Sequence, residues 1–489
     1  MNNKRDHAIV IGASIAGMFA AKALSQHFNT VTIIERDILP DEPTPRGGVP
    51  QSRHVHQLLM GGLQVMRRLF PGIDDDLEAL GATPIHLGYN TVTATRYGFM
   101  PPVRSDVYSY ACSRPGLEYV IRKRIWQTEN ISVKGGYTVK HLLATDDQRV
   151  VTGVAIEQKR TRTTETVTGD LVVDASGRTS KADQWLQSLG YEAPEVTYVD
   201  GHVGYATCWF EKPDYAPEGV AVLLSLGDPE NPRSGLIIEA EGDKWLALVS
   251  SKDGDYPPND LDGFLDFAKS CASPLAYNYL KGATPISPVY GYRRTQNHWR
   301  HYEKLDDRPE NFIITGDAAC AFNPIYGQGM SVAALDAQLL NDILARYPYG
   351  RKLTGFASEF QKELGKQVAL PFNLASADDR QHADTNDSFS AQGWLMQQVG
   401  AYFQVALGAM FIDDYVRTRF MQVSNLVAPP TTLFTPQMIV RILRVGVQAR
   451  FAPDSLPSLP QESVLNVKLE PELPAPADAQ PDALAAAGD

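Results

Sequence analysis

The sequence predicts an α/β fold: a parallel-sheet domain, interrupted by an inserted antiparallel β-sheet and followed by a helical C-terminal region. Three observations predict it. Val10-Ile11-Gly12-Ala13-Ser14-Ile15-Ala16-Gly17 closes an apolar strand and opens an Ala-rich helix, which is a βα turn with glycines at the bend. Apolar residues alternate in several segments between Gly201 and Ser251, the pattern of a sheet with one covered face. Phe312 to Thr315 then returns to a short buried strand, followed by Gly316-Asp317 and a helix over Ser331 to Leu344.

The elements follow in order. His7 to Gly12 reads as a buried strand, Ala16 to His27 as a helix and Thr30 to Glu35 as a second, β-branched strand. Asp41 to Pro50 is rich in Pro and Gly and reads as a loop. Gln57 to Phe70 has helical spacing at Leu58, Leu59, Leu63, Met66 and Leu69, and Leu117 to Trp126 reads as a basic amphipathic helix. Ile131 to Ile156 and Glu165 to Val173 read as strands, the second entering a turn at Asp174. Val203 to Phe210, Val220 to Leu226, Gly235 to Glu239 and Trp245 to Ser250 supply the alternating sheet. After Lys352 the chain reads as mainly helical.

Composition bounds the function. A chain of 489 residues can bury a large core and hold more than one subdomain. A net charge of -12 argues against nucleic acid as a partner, because phosphate backbones need a basic surface. Cys112, Cys208, Cys271 and Cys320 are scattered, which fits buried thiols in a reducing cytoplasm and no zinc site. His54 and His56 are spaced to share one side of an extended segment, but no third ligand accompanies them, so no metal is expected. Lys4 and Arg5 before the apolar run from Ala8 to Leu24 superficially resemble a signal peptide, but the glycine spacing and the strand that follows favour the βα turn. No apolar run is long and clean enough to span a membrane.

The residues of the first turn have a physical logic. Gly12 permits the tight bend, and Gly17 lets the helix pack closely on the sheet. The helix start at Ser14, Ile15 and Ala16 presents free N–H groups to a pyrophosphate. Ser14 replaces the middle glycine of the usual fingerprint; it is small and adds a hydroxyl. Glu35 ends the next strand where an acid accepts hydrogen bonds from a ribose diol.

Two further segments carry a resemblance: Leu171-Val172-Val173-Asp174-Ala175-Ser176-Gly177-Arg178 and Phe312-Ile313-Ile314-Thr315-Gly316-Asp317-Ala318-Ala319. With the Gly12 turn, and in this order, they resemble the three FAD-contacting segments of the flavin monooxygenase superfamily that includes aromatic hydroxylases, over residues 7–345. The fold implied is a Rossmann-like FAD-binding domain with an inserted substrate sheet. The resemblance implies cofactor contacts from Gly12, Ser14, Ile15, Ala16 and Gly17, from Glu35 and the adjacent Arg36, and from Arg46 and Arg53 on the following loop. It adds Arg114 at a helix start, Asp174 in the second segment, and Asp317, Pro324, Gly327, Gly329 and Met330 in and after the third. Asp317 would meet the ribityl chain, Pro324 the reacting face of the ring, and the helix start near Gly329 the pyrimidine edge. Arg46-Gly47-Gly48-Val49-Pro50-Gln51-Ser52-Arg53-His54-Val55-His56 and the run from Asp317 to Ser331 look like the bacterial flavin epoxidases of polyether polyketide pathways.

The reaction so implied uses NAD(P)H, FAD and O2, through a flavin C4a-hydroperoxide, to epoxidise an alkene of a secondary metabolite. Hydroxylation of an aromatic or polyketide substrate is the near alternative. Tyr292, Arg293, Phe322 and Tyr326 are candidates to line the substrate cavity, a small apolar or polyketide-like molecule being expected there. No catalytic dyad is visible. No second glycine-rich βαβ fingerprint appears, so the nicotinamide either binds transiently or a separate flavin reductase supplies the electrons. A flavin halogenase would carry Trp-x-Trp-x-Ile-Pro, which is absent. A prenyl- or polyene-chain reductase of the same fold is a further alternative. A lipid-chain binding protein without flavin is another, and Glu35, Arg53, Asp174 and Asp317 argue against it.

The expected division is 1–184 for the first part of the FAD-binding domain, 185–305 for the β substrate domain, 306–350 for the closing part, 351–456 for the helical region and 457–489 for a Pro/Ala-rich disordered tail. Leu433 to Phe451 carries Arg441, Arg444 and Arg450 with Met438, Ile439, Ile442 and Leu443 on one side. Docking on the core with snorkelled arginines is the favoured reading over contact with a membrane surface.

Overall fold

A computed structural model describes residues 4–96, 98–348, 352–377, 379, 384–385, 402, 405–452 and 459–460. Apart from 459–460, the tail expected to be disordered lies outside them.

The organising element is a five-stranded parallel sheet. Its strands are β1 (Arg5–Ile11), β2 (Phe28–Glu35), β3 (Ile131–Gly135), β4 (Leu171–Asp174) and β5 (Phe312–Ile314). They lie in the order β5-β4-β1-β2-β3, with every pair parallel. Such sheets are covered on both faces, which is why Ala8 to Ile11 of β1, Leu171 to Val173 of β4 and all of β5 read as unbroken apolar runs. The helices against this sheet and its surroundings are α1 (Ile15–Leu24), α2 (Met60–Leu69), α3 (Arg114–Trp126), α4 (Gly329–Arg346) and α5 (Phe356–Ala377). They share one continuous core that includes Phe19, Phe28, Leu63, Ile121, Leu340 and Phe360.

Element ends differ from the sequence expectation for local reasons. α2 starts at Met60 and not at Gln57, because the Leu59 N–H donates to Ser331 Oγ on α4 at 2.8 Å and the preceding segment is extended. α3 starts at Arg114, because Ser113 caps it by accepting the Gly116 N–H at 2.9 Å and Pro115 suits the first turn. The long strand expected from Ile131 is broken at Gly136, which has φ +80, into β3 and the hairpin strand Tyr137–Ala144.

The inserted sheet has seven strands. Tyr290–Tyr292, Gly204–Glu211, Lys244–Ser251, Ser234–Ala240 and Val222–Ser225 pair antiparallel in that order. Thr91–Thr95 then joins parallel to Val222–Ser225, and Gly98–Phe99 closes the edge. The alternation assigns the faces. Ala206, Cys208 and Phe210 pack with Phe264, Phe267, Leu275 and Leu280 of two covering helices, while Tyr205 and Thr207 point the other way. Strands Val196–Asp200 and Asn297–Arg300 pair antiparallel, and the second also pairs with Cys320–Ala321 just after β5. They fix the inserted sheet over the C-terminal edge of the parallel sheet.

Two more helices, α6 (Asp414–Ser424) and α7 (Pro436–Phe451), build a separate small core from Val416, Leu433, Met438, Ile442 and Val445. Arg417 is fully buried there, donating to the carbonyls of Met410, Phe411 and Pro101. No described helix is long and apolar enough to cross a membrane.

Candidate functional site

A cavity of about 930 Å³ runs between the C-terminal edge of the parallel sheet and the inserted sheet. Crevices outside the carboxyl ends of parallel strands are where such sheets hold ligands.

The Gly12 turn forms one wall. Gly12 has φ +102, and a Cβ there would lie 2.6 Å from the Ala175 carbonyl oxygen. A Cβ on Gly17 would lie 1.9 Å from the Gly12 carbonyl, so α1 can sit on this turn only with glycine at that position. Ser14, Ile15 and Ala16 line the cavity at the start of α1, whose first turn has no acid. Its unsatisfied N–H groups and positive dipole end suit an anion. Glu35 lines the adjoining end: its carboxylate accepts the Ala13 N–H at 2.7 Å and the Asp37 N–H at 2.9 Å.

A buried ionic chain supports this wall. Arg46 lies 2.9 Å from Asp37 and 3.4 Å from Glu35, and donates to Glu118 at 2.8 Å. Arg114 donates to Glu118 at 2.8 Å and to Ser14 Oγ at 2.9 Å. Burial pushes the Glu118 carboxyl up, but the guanidiniums of Arg114, Arg46 and Arg122 outweigh it and hold the pKa below the usual range. Glu118 was not singled out in the sequence. Its i,i+4 spacing to Arg114 and Arg122 was the available signal.

The third segment forms the opposite wall. Gly316, at φ +59, turns the chain after β5, and Asp317 projects into the cavity with its carboxylate 3.6 Å from Arg178 Nε. Burial raises the Asp317 pKa against the attraction of Arg178, Arg114 and Arg300. Beneath the turn, Asp336 of α4 accepts the Gly316 N–H at 3.0 Å, the Thr315 hydroxyl at 3.1 Å and the Gln367 amide at 2.8 Å. Burial pushes Asp336 up to about 7. Pro324, Tyr326 and Gly327 follow along the wall, and Gly329 and Met330 bring the N-terminus of α4 to it. The Tyr326 hydroxyl donates to Asp379 at 3.1 Å, so this residue offers the cavity a ring.

Some expected residues stand elsewhere. Asp174 is fully buried and does not line the cavity; it accepts the Ser176 N–H and the Ser180 hydroxyl and so shapes the Ala175–Thr179 turn, which does. Gly17 acts from beneath the turn. Arg36 lines the rim, exposed, and donates to the Gly48 carbonyl at 3.0 Å. Arg53 is exposed over the Tyr290 ring, 4.8 Å from its centroid, outside the cavity lining formed by Val49 to Gln51 and Val55 to Gln57. Arg293 is exposed over Tyr256, because strand alternation turns Tyr292 inward and its neighbour outward. Phe322 and Tyr292 both line the cavity. Tyr137, Thr138 and Val139 of the hairpin strand extend it beyond Glu35, and Tyr198, Tyr205, Leu236, Leu248 and Arg294 extend it over the inserted sheet.

The histidines around the cavity are held well below neutrality and are not poised for acid–base work there. His56 donates from Nδ1 to the His54 carbonyl at 3.0 Å, and burial with the nearby Arg114 charge lowers it to about 3. Burial and Arg300 lower His298 to about 3. His54 bonds Thr207 Oγ1 at 2.9 Å, and burial lowers it to about 4. All four cysteines are buried, and burial raises their thiols. The described residues hold no group of three or more His, Cys, Asp and Glu placed for a metal. What the cavity does offer is two helix N-termini, a carboxylate with lone pairs to spare and guanidiniums on one continuous surface, a set that fits a dinucleotide.

No protein-family model matches the chain. Protein Rv3254 of Mycobacterium tuberculosis is 30% identical over 461 residues, covering 92% of this chain and 96% of that one. Squalene monooxygenase of Mus musculus is 26% identical over 346 residues, 70% of this chain and 55% of its own length, so the chain spans about half of that protein. Among solved structures, PqsL, titled a probable FAD-dependent monooxygenase from Pseudomonas aeruginosa, superposes with a TM-score of 0.55 at 15% identity, covering 76% of this chain and 94% of that one.

Proposed function

The chain belongs to the FAD-dependent monooxygenase superfamily, and on that premise we propose that it inserts one oxygen atom of O2 into a small apolar or polyketide-like molecule, epoxidising an alkene of a secondary metabolite. The observation that carries this reading is that the Gly12 turn, the Asp317 turn, the N-terminus of α4 and the inserted sheet all open onto one cavity. Hydroxylation of an aromatic or polyketide ring uses the same geometry and is the near alternative.

The residues divide the work. The N–H groups at Ser14, Ile15 and Ala16, with Arg46 and Arg114 behind them, would hold the pyrophosphate. Glu35 retains lone pairs for a ribose diol beside its two backbone donors. The strand segment from Tyr137 to Val139 would flank the adenine end. Asp317 would accept from the ribityl hydroxyls, and the α4 N-terminus at Gly329 and Met330 would place positive dipole against the pyrimidine edge of the ring. Pro324, Phe322 and the Tyr326 ring would wall the reacting side, and Leu236 and Leu248 would exclude water from it. The redox chemistry with O2 is what FAD supplies when bound.

NAD(P)H is the proposed reductant. Among the described residues the one parallel sheet is taken up by the flavin site, so the nicotinamide docks transiently or a separate flavin reductase delivers the electrons. Four buried thiols suit a cytoplasmic enzyme. On α7, Met438, Ile442 and Val445 dock inward while Val440, Leu443, Val447 and Phe451 stay exposed beside Arg444, a pattern compatible with contact at a membrane surface. Equal recovery from anionic vesicles of the parent and of a Leu443→Asp/Val447→Asp variant would remove that contact.

The test of the main reading is the visible spectrum of the purified protein, then NADPH and O2 consumption with polyenes and phenols. A flavin spectrum with substrate-stimulated O2 uptake and an oxygenated product supports it. A flavin spectrum without oxygen incorporation would make the protein a reductase or dehydrogenase.

A further inference from the structure

Tyr205 and Tyr292 differ from the other tyrosines around the cavity. Tyr326 donates its hydroxyl to Asp379 at 3.1 Å, and Tyr198 donates to Asp200 at 3.1 Å. Tyr205 is 3% exposed and Tyr292 is half-buried, yet neither hydroxyl meets a hydrogen-bond partner among the described residues. Neither oxygen is sealed in the core, and both residues line the cavity. A buried phenol without a partner is costly, so such hydroxyls are ordinarily matched by a ligand or water.

The two rings are also held rigidly. They are direct partners across the antiparallel pair of Gly204–Glu211 with Tyr290–Tyr292. The rings stack with centroids 5.2 Å apart at 25°. His54 packs edge-on against both, at 4.9 and 5.3 Å, and is itself fixed by Thr207. Edge-on histidine and a paired strand leave the hydroxyls little freedom, which is the preorganisation that a specific contact needs. On the far side the cavity continues to Phe322 and Pro324 beside the Asp317 turn.

We propose that the Tyr205 and Tyr292 hydroxyls form the recognition point for an oxygen atom of the substrate, so that the molecule oxygenated here carries a keto or hydroxyl oxygen and is not a bare hydrocarbon. This rests on the monooxygenase reading and narrows its substrate. Burial holds both phenols above their ordinary pKa, so near neutrality they keep their protons and act as donors. The substrate group that answers them is an acceptor. Apolar Leu236 and Leu248 on the same wall receive the rest of the molecule.

The experiment uses the full chain loaded with FAD and two probe pairs, 1-naphthol with naphthalene and 1-tetralone with tetralin. Flavin content is read first; a protein that takes up no FAD overturns the monooxygenase reading and this proposal together. Binding is then followed by perturbation of the flavin absorbance. The oxygenated member of at least one pair should bind about tenfold tighter than its hydrocarbon. Tyr205→Phe and Tyr292→Phe, which keep both rings, should each shrink that preference, and the double variant should abolish it without weakening hydrocarbon binding. If Tyr205→Phe fails to hold flavin, Tyr292→Phe alone decides. No preference in either pair, or a preference that survives loss of the hydroxyls, overturns the proposal while leaving the flavin assignment standing.

Discussion

The Glu118 carboxylate holds the Arg114 guanidinium at 2.8 Å, and Arg114 reaches on to Ser14 Oγ at the N-cap of α1. One acid on α3 therefore positions a cation at the helix N-terminus where an anion is expected. The same acid also holds Arg46 and, at 3.7 Å, Arg122, so three guanidiniums converge on one buried carboxylate. Glu118→Gln removes the counter-charge and keeps the shape. Breaking a buried pair in this way costs about 3–5 kcal/mol. The apoprotein should melt lower than the parent. Added FAD, whose pyrophosphate supplies the missing negative charge, should raise the melting temperature of the variant more than that of the parent. Equal shifts would mean that these arginines do not face the pyrophosphate.

Asp317 faces the cavity and carries little of the fold: about a third of its side chain is exposed there, and Arg178 keeps the carbonyls of Gln296 and Phe322 without it. Asp317→Ala should leave the unfolding midpoint nearly unchanged. Flavin retention should fall by about 10–100-fold, the range for a lost hydrogen bond to a charged group. Flavin content after dialysis measures it. Undiminished content would sink the assignment of the third segment.

Asp336 makes stability depend on pH in an unusual sense for a carboxylate. Its folded pKa, about 7, lies above the ordinary 3.8, so between these values the folded chain keeps a proton that the unfolded chain has lost. Stability from this group is complete below pH 4 and is lost as pH rises through 7, at about 1.4 kcal/mol per pKa unit. Asp336→Asn imitates the protonated acid and still accepts the Gly316 N–H. Urea midpoints at pH 5 and pH 8 should differ less in the variant than in the parent, with the variant the more stable at pH 8. An unchanged difference would exclude Asp336 as its source.

What was legible in the sequence is what is local along the chain. Gly12, Gly17 and Glu35 fall within one βαβ unit, and their spacing reports their geometry. The faces of Gly204–Glu211 also follow from alternation alone. Contacts between distant segments are different. Thr91–Thr95 joins the inserted sheet by parallel pairing with Val222–Ser225, and no pattern in either strand names the other. Arg46 finds Glu118 only once α3 lies against the first turn. Arg53 lies two residues from a segment that lines the cavity and still points away, since the turn Pro50–Arg53 rotates its side chain outward. Asp336 reads as an ordinary polar residue of an amphipathic helix, and its burial beneath Gly316 appears only when α4 packs on the sheet.

Gly17 offers the sharpest separation between a glycine that geometry requires and one it does not. A Cβ at Gly17 would overlap the Gly12 carbonyl, whose backbone cannot retreat because the Gly12 N–H is bonded to the Ile34 carbonyl at 2.8 Å. Among the described residues nothing lies within 4 Å of a Cβ placed on Gly408, which has no positive φ. Gly17→Ala must therefore push α1 off the turn, at a cost of about 1–3 kcal/mol or more, and it should also lose flavin because the pyrophosphate donors move with the helix. Gly408→Ala should leave the flavin content as it is. Comparing flavin content and unfolding midpoints of the two variants checks this. A Gly17→Ala protein that keeps its flavin would show that the α1 N-terminus is not where the cofactor is held.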